Sequence, residues 1–333
     1  MCASLHRRRR RLLHSNAVAV SYLRSKCFIF SAVIFTFWNF YGIIILGGYL
    51  LDKLEFDGDN MKIILSRKGF DSANGGIVSP IMEDGTLISF PIPSDDRDNF
   101  EDLIYGGQTY TKILQDLKYK EHPKYHNCHL DPDLTIDRRK NKIDGWCPIF
   151  GQVNSSAIYL LKNVEVQVGD LFLFFGNYHK VRCVDGKYQY IKKTGDFYSD
   201  NDLQLIWGYL QVGKIIEDRE EQKKYGWHPH SSDSYRTEDC YSNVMFMASD
   251  KLSFNENMPG AGVLTFREDR VLTAPNCNKA TWIKRSIYDV DSVIGNRKNS
   301  SKIADGIYYA GIWQELGLKE TPECEEWAKS IVQ

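Results

Sequence analysis

Five consecutive apolar residues, Leu171-Phe-Leu-Phe-Phe175, stand between Gly169-Asp170 and Gly176. Successive side chains of a strand point to opposite faces of its sheet, so a run this uniform suits a central strand rather than a solvent-facing one. Lys62–Leu65 reads as a buried first strand. Asp84-Gly85 is a hairpin signal leading into Thr86–Phe90. Further strands are expected over Val164–Val168, Tyr178–Val184, Tyr188–Lys192, Leu203–Val212, Asn243–Ser249, Gly262–Phe266 and Arg270–Ala274. Helical spacing covers Asn99–Tyr119, broken by Gly106-Gly107, and Ser155–Lys162, capped by Asn154 or Ser155. A last helix is expected over Glu323–Val332. The fold class that follows is α+β, a mixed and mainly antiparallel sheet with a few helices.

Residues 1–60 are a different kind of sequence. A basic tail, Arg7 to Arg11 with Arg24 and Lys26, precedes 25 uncharged residues, Cys27 to Leu51. About 20 apolar residues cross a bilayer core, so residues 27–51 are a candidate for a single N-terminal transmembrane helix. Two readings follow. Translation from Met1 gives a single-pass membrane protein, with the membrane as a partner. Translation from the internal Met61 gives a cytoplasmic protein, and residues 1–60 are then upstream sequence. In either case the folded domain is expected over residues 61–333, enough for one large domain or two modest ones.

Eight of the 42 basic and four of the 43 acidic residues precede Met61, which leaves 34 basic and 39 acidic residues in the domain. A tight, sequence-blind grip on long nucleic acid depends on neutralising phosphates. This balance argues against such a grip and leaves small nucleotides or a local basic patch. The eight cysteines are scattered and form no Cys-x-x-Cys pair, so free thiols are expected.

Three groups of residues could carry chemistry. After the first strand, Arg67 and Lys68 suit a phosphate, Gly75-Gly76 allow close backbone approach, and Asp71 and Ser72 suit a ribose or a nucleophile. A plain strand-to-loop connection accounts for them equally well, and neither nucleotide-binding glycine fingerprint is present. The second group is His122, His126, Cys128, His129, Asp131 and Asp133, joined by His228 and His230 from a distant segment. This donor set suits a divalent metal, with His129 as a ligand. It equally suits metal-free acid–base work by Asp131, Asp133, His228 and His230, or simple capping of a turn at Pro132. In the third group Gln152 could read the edge of a nucleobase, with Phe150, Trp146 or Trp227 stacking on its face.

Five segments carry a family resemblance: Lys62–Ile81, His129–Leu134, Phe150-Gly-Gln152, Gly169–Gly176 and Trp227-His-Pro-His230. Over residues 61 to 333 the chain resembles the nucleotide modification associated domain 3 family. Asn177 stands where that family tends to have an aromatic residue, and Gln314-Glu315-Leu316 where it tends to have Gln-Glu-Phe. The resemblance implies a place in nucleotide or nucleic-acid base modification, as enzyme or accessory, without specifying a reaction. A nucleotide or nucleic acid is then the expected partner. The alternative is a non-catalytic reader of modified bases, suggested by the likeness of Val164–Phe175 to small barrels of the PUA type.

Overall fold

A computed structural model describes residues 61–71, 73–118, 126–236, 240–295, 301–303, 306–308 and 314–333. The described residues belong to a unit that spans residues 60–333. Among them a nine-stranded sheet forms from β1 (Ile63–Arg67), β2 (Ser79–Ile81), β3 (Ile149–Val153), β4 (Leu171–Val184), β5 (Lys187–Tyr190), β6 (Leu203–Ile216), β7 (Asn243–Ala248), β8 (Ala261–Val263) and β9 (Glu315–Gly317). The strand order is β9-β1-β4-β6-β7-β3, with β2 and β5 on β4 and β8 on β6.

The apolar run opens β4 and lies at the centre. It pairs in parallel with β1, from Ile63↔Leu171 to Arg67↔Phe175, and antiparallel with β6. Its side chains alternate as the pleat requires. Leu171, Leu173 and Phe175 pack with Ile63, Leu65 and the C-terminal helix α3 (Pro322–Val332), through Ala328, Ile331 and Val332. Phe172 and Phe174 enter the opposite layer with Ile64, Phe150, Trp207 and Phe246. There the Phe150 ring lies 4.9 Å from Phe172 and 5.1 Å from Phe174. A third cluster joins Phe70, Phe90 and Phe100 to α1 (Tyr110–Asp116).

Two strands run parallel to β4, namely β1 and β2, and the remaining ladders of the sheet are antiparallel. The mixed, mainly antiparallel α+β class therefore holds. Several local expectations do not. Residues 99–109 form short strands rather than helix, because Gly106 and Gly107 both take positive φ in the turn between Ile104–Tyr105 and Gln108–Thr109. Only Tyr110–Asp116 is helical there, capped by the Thr109 hydroxyl. Val164–Val168 is no strand: α2 (Asn154–Ile158) continues as a π-helix to Val164, and Glu165 is left-handed. Asn154, expected as a cap, lies inside that helix, and no side chain caps its start. Thr86–Phe90 and Arg270–Ala274 contribute isolated bridges only.

Residues 27–51 lie outside the described residues. Among the described residues no helix is long and apolar enough to cross a membrane. The six described cysteines are free.

At the end of β1 the chain turns over the sheet. The Lys68 N–H donates to the Phe175 carbonyl at 2.8 Å. A Cβ on Gly176 would stand 2.6 Å from the Lys68 carbonyl oxygen, so only glycine admits this approach. The central phenylalanines should dominate stability. Phe172→Ala is expected to cost about 3–5 kcal/mol, whereas Val168→Ala, at a side chain 65% exposed, should change stability by less than about 0.5 kcal/mol. Urea unfolding midpoints measure both; similar midpoints for the two variants would contradict this packing.

Candidate functional site

Asp131 follows a three-residue strand, Asn127–His129, and its peptide bond to Pro132 is cis. Its buried carboxylate is met from four parts of the chain. The Gly151 N–H on β3 donates to Oδ1 at 2.6 Å. The Lys68 ammonium lies 3.3 Å from Oδ2. His228 places Nε2 3.4 Å from Oδ1. His230 and His129 bring their Nε2 atoms to 3.9 Å and 4.0 Å from Oδ2. Gly151 serves twice, because any side chain there would strike the His230 imidazole. The Lys68 ammonium also rests over the Phe150 ring, 4.4 Å from its centroid.

Hydrogen bonds behind the imidazoles set their tautomers. Asn243 donates through Nδ2 to the Gln222 Oε1 and to the His230 carbonyl. Its Oδ1 therefore faces the His230 Nδ1, 2.9 Å away, which must carry a proton. The neutral His230 ring then shows a lone pair at Nε2. In the same way Nδ1 of His129 lies 2.8 Å from the Asp96 carboxylate, which leaves its Nε2 toward Asp131. His228 is the reverse: its Nδ1 accepts the His230 backbone N–H at 3.3 Å, so the neutral ring carries its proton on Nε2.

These contacts shift the titrating groups. Burial alone would raise Asp131, but the Lys68 ammonium and the nearby His228 and His230 imidazoles outweigh it and hold the carboxyl well below the usual range. Burial pushes His230 down to about 3, against the opposing pull of Asp131. Burial would also raise Asp96, yet the hydrogen bond from the His129 imidazole holds it lowered.

A cavity of about 280 Å³ opens over this cluster, lined among others by Arg67, Lys68, His129, Asp131, Gln152, His230, Tyr235 and Gln314. The Gln152 amide nitrogen donates to the Glu315 carboxylate and, at 3.4 Å, to Gln314. Glu315 is fully buried, receives the Ser66 hydroxyl at 3.1 Å, and keeps Oε2 without a partner among the described residues. Gln314 and Glu315 are the part of the Gln-Glu-Phe pattern that survives in the sequence, and the fold brings both to Gln152.

Other expected residues lie elsewhere. Asp133 is bound by Arg139 Nε and Trp146 Nε1, both at 2.8 Å, and does not line the cavity. Burial pushes its carboxyl up, against the pull of Arg139. Asp71 lines the cavity, but its Oδ1 accepts the Ala73 and Asn74 N–H groups and so shapes its own loop. Trp227 packs beside Trp146 in a satellite cluster with Ile149, Ile216 and Met245, away from the cavity lining. Phe150 is core and supports Lys68. His126 is exposed and Cys128 buried in the third cluster. Ser72 and His122 lie outside the described residues. Among the described residues His129, Asp131 and His230 form a group whose ligating atoms all lie within 4.8 Å of one another.

The folded chain holds His230 neutral down to about pH 3, while the unfolded imidazole titrates near 6.5. Between those values the unfolded state binds more protons, so stability falls as pH drops from about 6.5, by up to about 1.4 kcal/mol per pH unit. In His230→Gln that component is absent, and the thermal midpoint should vary less between pH 6.5 and 4. Parallel pH profiles for wild type and variant would contradict the assignment.

No curated protein and no solved structure matches the chain. The sequence model of nucleotide modification associated domain 3 matches residues 62–315, a span that holds β1, the Asp131 cluster, the central sheet and the Gln314-Glu315 pair. The chain belongs to the nucleotide modification associated domain 3 family.

Proposed function

We propose that the cavity over Asp131 is the nucleotide site of a protein of nucleotide or nucleic-acid base modification. The observation that carries this reading is the ionised, buried Asp131, which gathers an ammonium and three imidazoles at the wall of a cavity. Perturbed groups that converge on a concavity are the usual mark of a reacting or binding centre. Family membership supports nucleotides as the substrate class.

Within this reading Arg67 and Lys68 meet the phosphate. Gln152 and Gln314 present amides to the base edge, and the Glu315 carboxylate fixes how the Gln152 amide is turned. His228 donates from Nε2. His230 accepts at Nε2, although its low basicity suits a ligand or hydrogen-bond acceptor better than a general base near neutral pH. Asp131 stays charged and organises its neighbours. The cavity volume suits one nucleotide or one base taken out of a duplex, in line with a domain that carries more acidic than basic residues.

The alternative, a non-catalytic reader of modified bases, draws on the Gly169-Asp170 strand pair and the tryptophans. Of that pair Leu171–Phe175 is a strand, whereas Val164 closes a π-helix and the Asp170 carboxylate accepts the Lys62 and Gln167 N–H groups, tying β1 to the start of β4.

Calorimetric titration of the purified protein with nucleoside monophosphates, carrying ordinary and modified bases, tests the assignment. Arg67→Ala should weaken binding of every binding nucleotide by roughly tenfold, the value of one charge-assisted hydrogen bond. Gln152→Ala should change the ranking among bases. Absence of binding, or binding indifferent to both substitutions, would remove the reading.

A further inference from the structure

The same wall of the cavity gathers acceptors in excess of donors. Nε2 of His129 and Nε2 of His230, both left with lone pairs by the hydrogen bonds behind them, approach one carboxylate oxygen, Asp131 Oδ2. Three acceptors that face one point inside a protein call for a cation there. The Lys68 ammonium, 3.3 Å from the same Oδ2, is the cation now nearest.

We propose that His129, Asp131 and His230 form a binding site for one divalent transition metal, and that the metal displaces the Lys68 ammonium. The proposal deepens the reading of this cavity, yet metal binding itself does not depend on nucleotide binding. Four observations support it. The ligand atoms lie within 4.8 Å of one another. They come from a short strand, the turn after it and the turn at His228–Ser231, so the site is built by the fold rather than by one flexible loop. Each imidazole donates its remote Nδ1 proton to a fixed acceptor, Asp96 or Asn243, the arrangement that orients histidine ligands and raises their donor strength. The Asp131 Oδ1 is held by the Gly151 N–H, which leaves Oδ2 to face the metal.

The observed separations of 3.9 Å and 4.0 Å exceed the roughly 3.4 Å expected between ligands of a tetrahedral site with bonds near 2.1 Å. Closing these two gaps needs about half an ångström of side-chain movement, and the imidazole pair, within 4.8 Å, needs up to about 1.4 Å, as the ammonium withdraws. Two imidazoles and one carboxylate select zinc, cobalt or ferrous iron over magnesium or calcium. Three protein ligands also leave a coordination position open toward the cavity, where water or substrate could enter. Lys68, released from Asp131, then stands free beside Arg67 to meet a phosphate.

The test is titration of chelator-treated protein with Co²⁺, followed by the visible absorption of the bound ion and by metal stoichiometry after desalting. One Co²⁺ per chain is expected. His129→Ala, at a ring partly open to the cavity, should lose it while keeping the wild-type circular dichroism. Lys68→Met should bind roughly tenfold tighter or more, because a competing charge is gone. A protein that takes up no Co²⁺, or His129→Ala binding as well as wild type, would overturn the proposal. Nucleotide titration of the same samples separates the two readings. Nucleotide binding without metal uptake removes the metal site alone, and metal uptake without nucleotide binding removes only the nucleotide reading.

Discussion

The buried charge of Asp131 is the constraint on which the site depends. Taking an isolated carboxylate out of water costs several kcal/mol, and only well-placed partners offset it. Here the partners come from β1 through Lys68, from β3 through Gly151, and from the His228–Ser231 turn. Each of those segments is fixed by the central sheet or packed against it. Arg67 and Lys68 sit where β1 ends because β1 is locked to Leu171–Phe175, and Gly176 lets the chain pass close above. Gly151 is held by the β3–β7 ladder, and Asn243 at the start of β7 orients His230. Sheet and site are therefore one construction: the apolar layers hold the strands whose ends carry the polar cluster.

Two carboxylates only two positions apart have opposite surroundings. Asp131 faces a cation, a backbone amide and imidazoles at the cavity wall. Asp133 turns away to Arg139 and Trp146, and Arg139 also binds Asp98. Asp133 thus ties the loop to the body of the domain, while Asp131 does the facing.

How much of this could be read from the sequence follows from range. Leu171–Phe175 and Lys62–Leu65 were legible because their composition and length leave few alternatives to a buried strand. The C-terminal helix was legible from its amphipathic spacing, and it starts one residue earlier than expected, at Pro322, capped by the Thr321 hydroxyl. Val164–Val168 misled, since alternating valines also fit the end of a π-helix followed by a left-handed Glu165. Asn99–Tyr119 misled because helical spacing survived in a segment that Gly106-Gly107 had already turned. In the site, His129, Asp131, His228 and His230 stood out as chemistry and as one group. Which of their atoms face one another did not, because that depends on contacts across about a hundred residues. The roles of Asp96 and Asn243 were invisible for the same reason: a remote hydrogen bond to an imidazole leaves no local pattern.

Family membership associates the chain with nucleotide modification, and the cavity over Asp131 is the site proposed for it. The most direct measurement is a mass-spectrometric comparison of nucleosides in DNA and RNA digests from cells that carry the wild-type gene, no gene, or Asp131→Asn. The account predicts a nucleoside whose level changes when the gene is lost, and Asp131→Asn, produced at normal levels and folded, should resemble the deletion. A folded Asp131→Asn protein that restores the wild-type profile would contradict the central role given to this carboxylate. A profile indifferent to the gene itself would contradict the proposed part in base modification.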